Sequence, residues 1–209
     1  MNLQTRRFQI DGPAGTIEVL RDEPGESAAV RGTAVIAHPH PLFGGTMENK
    51  VVQTLARAFV QSGWRSLRFN FRGVGASQGT HDEGRGELED MLHVISSEAA
   101  EGELALAGFS FGAFVAASAV ARLWHQRPPE KIVLVGTAVS RFGVPALAHD
   151  AHERTLVAHG ELDDTVALAA VMDWARPQQL PVTVVPGGGH FFHGQLPLLK
   201  SLVARHLRS

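Results

Sequence analysis

The sequence has no cysteine and no tyrosine among its 209 residues. The first absence excludes a disulfide framework, a thiolate metal site and a cysteine nucleophile. Excess charge is missing too: 19 Lys and Arg stand against 21 Asp and Glu, a net charge of −2. A nucleic-acid binder carries a basic excess, so that class falls away. No apolar run approaches the ~20 residues of a membrane span. The N-terminal stretch MNLQTRRFQIDG has two arginines but no apolar run behind them, unlike a secretory signal. The expectation is a cytoplasmic protein with neither a membrane nor a nucleic-acid partner, a monomer or a homodimer. Its length fits one domain over residues 1–209 with one sizeable core.

Short apolar runs alternate with amphipathic stretches along the chain. Strands are predicted at 5–10, 15–20, 33–37, 65–71, 103–107, 131–136, 154–158 and 181–185. Helices are predicted at 47–62, 86–100, 111–125, 165–175 and 194–207. Val51, Leu55, Phe59 and Val60 share one helix face, and Gly63 stands where a C-cap glycine would. Such alternation means a mostly parallel α/β sheet with helices on both faces. Only GPAG joins the first two strands, which suits an antiparallel hairpin at one edge.

Residues 108–112 read Gly-Phe-Ser-Phe-Gly, a G-x-S-x-G directly after a predicted strand and before a predicted helix. A strand–Ser–helix turn strains the serine backbone and presents Oγ. Ser110 then sits at a helix N-terminus, where free N–H groups favour developing negative charge. Without that chemistry the same pentapeptide is an ordinary serine N-cap.

A serine hydroxyl needs a base, and in this architecture the order is Ser, then acid, then His, on the C-terminal ends of strands. The strand at 154–158 runs into His-Gly-Glu-Leu-Asp-Asp-Thr-Val, which offers Glu161, Asp163 and Asp164. Asp163 is the choice for orienting a histidine, leaving Asp164 and Thr165 to cap the next helix. The strand at 181–185 runs into Pro-Gly-Gly-Gly-His-Phe-Phe-His-Gly, which makes His190 the base and His193 its rival, near the start of the last helix.

Acyl transfer also needs two N–H donors for the oxyanion. Phe111 N–H follows the nucleophile, and the second donor belongs to the loop His38-Pro39-His40-Pro41-Leu42-Phe43-Gly44-Gly45. Prolines have no N–H, so the donor is His40 or Leu42, with His40 first. The two histidines could also begin a metal site, but no third ligand stands at a ligating spacing. The loop Arg72-Gly73-Val74-Gly75-Ala76-Ser77-Gln78-Gly79 looks like a phosphate cradle but lacks the P-loop ending, and it reads as structural. Leu42, Phe43, Phe109, Phe111, Phe191 and Phe192 are candidates for an acyl pocket. His81, His93, His125, His149, His152 and His206 read as surface residues.

HPHPLFGG, FRGVGASQG, GFSFG, HGELDD and GGGHFF, spread over residues 33–193, together resemble the α/β-hydrolase family. Within it the chain looks like the small bacterial serine hydrolases that lack a cap domain. The resemblance implies an eight-stranded sheet whose second strand is antiparallel. It implies Ser110 as nucleophile, His190 as base, Asp163 as its partner, and hydrolysis of a small-molecule ester through an acyl-enzyme without a cofactor or metal. Where many relatives have H-G-G this chain has H-P-H-P. Caps in this family enter between the sixth and seventh strands. Here that stretch is 17 residues, 137–153, enough for a turn or two of helix and too short for a lid. An open site for small or flexible acyl groups is the expectation.

Overall fold

The computed structural model describes residues 5–25 and 29–208; the first four residues of the stretch read above for a targeting signal lie outside them. The strands are β1 (Thr5–Gly12), β2 (Gly15–Asp22), β3 (Gly32–Ala37), β4 (Arg65–Phe69), β5 (Glu103–Phe109), β6 (Lys131–Val135), β7 (Thr155–Gly160) and β8 (Val182–Val185). They form one eight-stranded sheet in the order β1-β2-β4-β3-β5-β6-β7-β8. β2 is antiparallel to both β1 and β4, and every other pair is parallel. The edge hairpin and the antiparallel second strand are therefore both present.

β3 and β6 are buried along their whole length, which is why they read as unbroken apolar runs. On one face lie α1 (Lys50–Gln61) and α5 (Leu196–His206); Val51, Leu55 and Phe59 pack there with Leu199, Val203 and Phe192. On the other lie α2 (Arg85–Glu98), α3 (Phe111–Leu123) and α4 (Leu168–Ala175), with Met91, Val115 and Val171 in a second core. Val51 and Val52 are poor helix formers, so tertiary packing holds α1 more than propensity does. Burial of each such large apolar side chain contributes about 1.5–3 kcal/mol.

The glycine loop after β4 is structural, as read. Its centre is filled by the buried carboxylate of Glu18 on β2, which accepts from Ala76 N–H at 3.0 Å and Asn70 Nδ2 at 2.7 Å. Burial alone would raise the Glu18 pKa, but these donors and the Arg7 guanidinium hold it below the ordinary value. A phosphate would meet a negative charge there. Arg72 is tied to the buried Asp90 of α2 through Nε at 2.9 Å and Nη2 at 2.7 Å.

Two predicted helix starts move by three residues, and that of α1 falls at Lys50, not at 47. α4 begins at Leu168, not at 165, and its N-cap Ala167 contributes no side-chain bond. Asp164 accepts only from Thr165 Oγ, at 3.3 Å, so Asp164 and Thr165 do not cap the helix. The N–H groups they would have served go to Asp163 instead. The stretch between β6 and β7 is a loop followed by a short 3-10 turn at His149–Arg154.

Candidate active site

β5 ends at Phe109, next to β3, and the helices that follow these two neighbouring strands, α1 after β3 and α3 after β5, lie on opposite faces. The C-terminal edge at such a point is where open α/β sheets hold ligands. The next residue, Ser110, has φ 58° and ψ −117°, a left-handed conformation that a non-glycine residue adopts only under constraint. Two glycines permit it. A Cβ on Gly108 would lie 2.1 Å from Gly112 O, and one on Gly112 would lie 2.3 Å from Ala37 O. α3 thus meets the end of β3 at a distance only glycine allows. Ser110 N–H donates to Val135 O at 2.8 Å, which fixes the turn to β6.

His190 Nε2 stands 3.0 Å from Ser110 Oγ, and His190 Nδ1 stands 2.7 Å from Asp163 Oδ2. The other oxygen of Asp163 accepts from Thr165 N–H at 2.9 Å and Val166 N–H at 2.7 Å. Burial pushes the Asp163 carboxyl up, but the His190 bond and the Val166 N–H outweigh it and hold the pKa below the ordinary value. An ionised Asp163 then keeps the His190 proton on Nδ1 and leaves Nε2 as the acceptor facing the serine. His193 is exposed and takes no part in this chain of bonds.

The loops after β7 and β8 are joined by short backbone contacts. Leu162 N–H donates to Gly188 O at 2.8 Å, Glu161 N–H to Val185 O at 3.0 Å, and Gly187 N–H to the Glu161 carboxylate at 2.8 Å. Glu161 is a clamp between the loops that carry Asp163 and His190.

In the loop after β3 the N–H groups of Phe43 and Gly45 donate to His40 O, and that of Gly44 to Pro41 O. Leu42 N–H donates to His40 Nδ1 at 3.3 Å. The Leu42 N–H is thereby engaged within the loop. Among the described residues 39–45, the His40 N–H alone has no acceptor. His38 is unavailable as a ligand. Its Nδ1 donates to Pro39 O at 2.6 Å and its Nε2 accepts from Phe71 N–H at 3.0 Å. Among the described residues no group of three or more His, Asp or Glu is placed to hold a metal.

A cavity of about 350 Å³ opens above Ser110, lined by His40, Phe43, Phe111, Phe142, His190 and Phe191, with Arg141, Asn49 and Thr165 among the rest. Phe43, Phe111 and Phe191 are in the wall. The other pocket candidates are not. Leu42 is 70% exposed outside the cavity, and Phe109 and Phe192 are wholly buried in the core. Phe109 instead supports the His190 ring from below, at 4.9 Å between centroids. Phe192 turns inward through a left-handed residue, φ 52°.

Four side chains near the site escaped the sequence reading. Phe142, from the loop after β6, stacks on Phe114 at 5.0 Å and touches Phe111 at 5.1 Å. Arg141 lies beside it. His159 on β7 donates Nε2–H to Val166 O at 2.9 Å and lies 3.5 Å from Asp163 Oδ2. His81 is not a surface residue: it bonds the buried Glu87 at 2.8 Å and its ring lies 4.8 Å from that of His40. His93, His152 and His206 are also half-buried, whereas His125 and His149 are exposed as expected. No sequence periodicity marks these positions, because they depend on which loops meet at the sheet edge.

A strained serine at a strand–helix turn, backed by a histidine and a carboxylate on an eight-stranded sheet, defines an α/β serine hydrolase. The chain belongs to the family described as serine aminopeptidase, S33, whose sequence profile matches residues 29–152. A solved α/β serine hydrolase homologue from Coxiella burnetii is 36% identical, with 99% of each chain covered and a TM-score of 0.84. The lidless α/β serine hydrolase XC6422 from Xanthomonas campestris is 33% identical, over 100% of this chain and 95% of its own, with a TM-score of 0.85. Protein RP471 of Rickettsia prowazekii is 41% identical over 121 residues, 56% of this chain and 50% of that protein. The chain thus spans about half the length of that curated relative.

Proposed function

We propose that the protein hydrolyses carboxylic esters or thioesters of small or flexible acyl groups through an acyl-enzyme on Ser110. The observation that carries this reading is the unbroken chain Ser110–His190–Asp163, with separations of 3.0 and 2.7 Å, at the floor of a cavity. His190 Nε2 takes the Ser110 proton as Oγ attacks the carbonyl carbon. Asp163 holds the ring orientation and stabilises the imidazolium. The Phe111 N–H at the head of α3 and the unpaired His40 N–H receive the oxyanion. His190 then protonates the leaving group, and a water activated by the same ring releases the acid. These steps use no metal or cofactor.

The family's description names an aminopeptidase, so amide hydrolysis is the second reading. Such an enzyme must hold the free α-ammonium of its substrate. Among the described residues, no aspartate or glutamate lines the cavity, and the fixed charge there is the cation Arg141. That favours the ester.

The test pairs a fluorophosphonate probe with p-nitrophenyl butyrate hydrolysis. The wild type should label at Ser110 and turn the ester over. Ser110→Ala should not label and should fall below about 10⁻⁴ of wild-type kcat. Undiminished turnover by Ser110→Ala would end the reading. A wild type that cleaves alanine p-nitroanilide and spares the ester would favour the amide.

A further inference from the structure

We infer that the substrate's acyl chain ends in an anion, a carboxylate in the simplest case, and that Arg141 receives it. The inference rests on the proposed function and names its substrate class.

The cavity lining holds two clusters of side chains. One is formed by His190 with Phe191, whose rings lie 5.1 Å apart. The other is formed by His40, Phe43, Phe142 and Arg141. A carbonyl attacked by Ser110 must turn its leaving group toward His190 Nε2, which protonates it. Its oxygen must face the N–H groups of Phe111 and His40. The acyl chain takes the remaining direction, along Phe111 and Phe142 toward Arg141. Phe111 and Phe142 are apolar members of that lining, and Arg141 is its cation.

Arg141 is one of sixteen arginines in this chain. Eight others hold a carboxylate within ion-pair distance, namely Arg7, Arg21, Arg65, Arg68, Arg72, Arg85, Arg154 and Arg176. Among the described residues Arg141 has no such partner. Its guanidinium lies 6.0 Å from the centroid of the Phe43 ring. Contact with an aromatic face orients a guanidinium without consuming its hydrogen-bond donors. The nearby His40 ring adds no second charge, since its Nδ1 accepts from Leu42 and burial and His81 push its pKa down. Arg141 is therefore the fixed cation in the cavity lining, and among the described residues it has no carboxylate partner to compete with a ligand's carboxylate.

The experiment compares three esters: p-nitrophenyl hemiglutarate, with the anion on the acyl chain; p-nitrophenyl pentanoate, of similar length and neutral; and 4-(pentanoyloxy)benzoate, with the anion on the leaving group. The quantity read is the ratio of kcat/KM for hemiglutarate to that for pentanoate. In the wild type it should be about tenfold or more at low salt, the size of one charge-assisted contact. It should shrink in 0.5 M NaCl, because the site is open to solvent. Arg141→Gln should bring the ratio near one, and Arg141→Lys, a point charge without the planar fork, should retain part of it. Arg141 is exposed, and matching melting curves would show that the variants fold. A wild-type ratio near one, or a ratio unchanged in Arg141→Gln, would overturn the inference while leaving the ester hydrolase intact. Preference for the benzoate ester would overturn the acyl-side assignment. No turnover of any of the three would remove the ester-hydrolase reading, and this inference with it.

Discussion

His38 shows how a single residue is held for geometry rather than chemistry. It is fully buried, with both ring nitrogens engaged, and burial lowers its pKa from 6.5 to about 3. The ring joins the loop after β3, which carries the His40 N–H, to the start of the loop after β4. The sign of the resulting pH dependence follows from linkage. The unfolded chain binds a proton near pH 6.5 while the folded one resists until about 3, so the stabilisation is complete above 6.5 and is lost as pH falls. His38→Asn removes that titration. The variant should be less stable at pH 7, yet its unfolding free energy between pH 6 and 4.5 should fall less steeply, by about 1.4 kcal/mol per pH unit. Urea denaturation across that range reads the slope difference, and parallel slopes would contradict a neutral buried His38.

At the scale of elements, the contact between α3 and β3 decides the site. Phe111 N–H and the His40 loop lie on the two sides of that contact, and Gly112 sets its width. In Gly112→Ala the new methyl would meet the Ala37 carbonyl at 2.3 Å, so helix and strand must separate. Backbone cannot yield as a side-chain tip can. The expected outcome is a loss of about 1–3 kcal/mol in urea denaturation, together with a fall in kcat larger than that in substrate affinity. Equal stability and unchanged kcat would show that the contact has slack. This level of structure was largely legible in the sequence. All eight strands follow from β-branched and apolar runs, and Ser110, Asp163 and His190 follow from their order at strand ends. What escaped depends on contacts between distant loops. α4 starts late because Asp163 takes the Thr165 and Val166 N–H groups for itself. The Leu42 N–H is engaged only because the loop folds back so that it meets the His40 ring. His81, Phe142 and Arg141 sit on segments without periodicity, and nothing local to them points at Ser110.

At the scale of the whole molecule, the stretch between β6 and β7 forms part of the cavity wall. Residues 137–148 run as a loop into the 3-10 turn His149–Arg154, and Ala151 is buried beneath it. Phe142 is pinned in that loop by its stack on Phe114 and its edge contact with Phe111, and it lines the cavity. Interfacial activation in a hydrolase requires a covering element that swings away from the serine at a lipid surface. Here the segment between β6 and β7 is packed into the core at one end and stacked on α3 in the middle. Moving it would expose Phe111 and Phe114 to water. The rate on a short triglyceride such as tributyrin should therefore follow simple saturation through its solubility limit, with no rise when emulsion droplets form. A several-fold jump at that limit would mean that the 137–148 loop opens after all, and Phe142→Ala, which removes the stack, would then make the jump smaller.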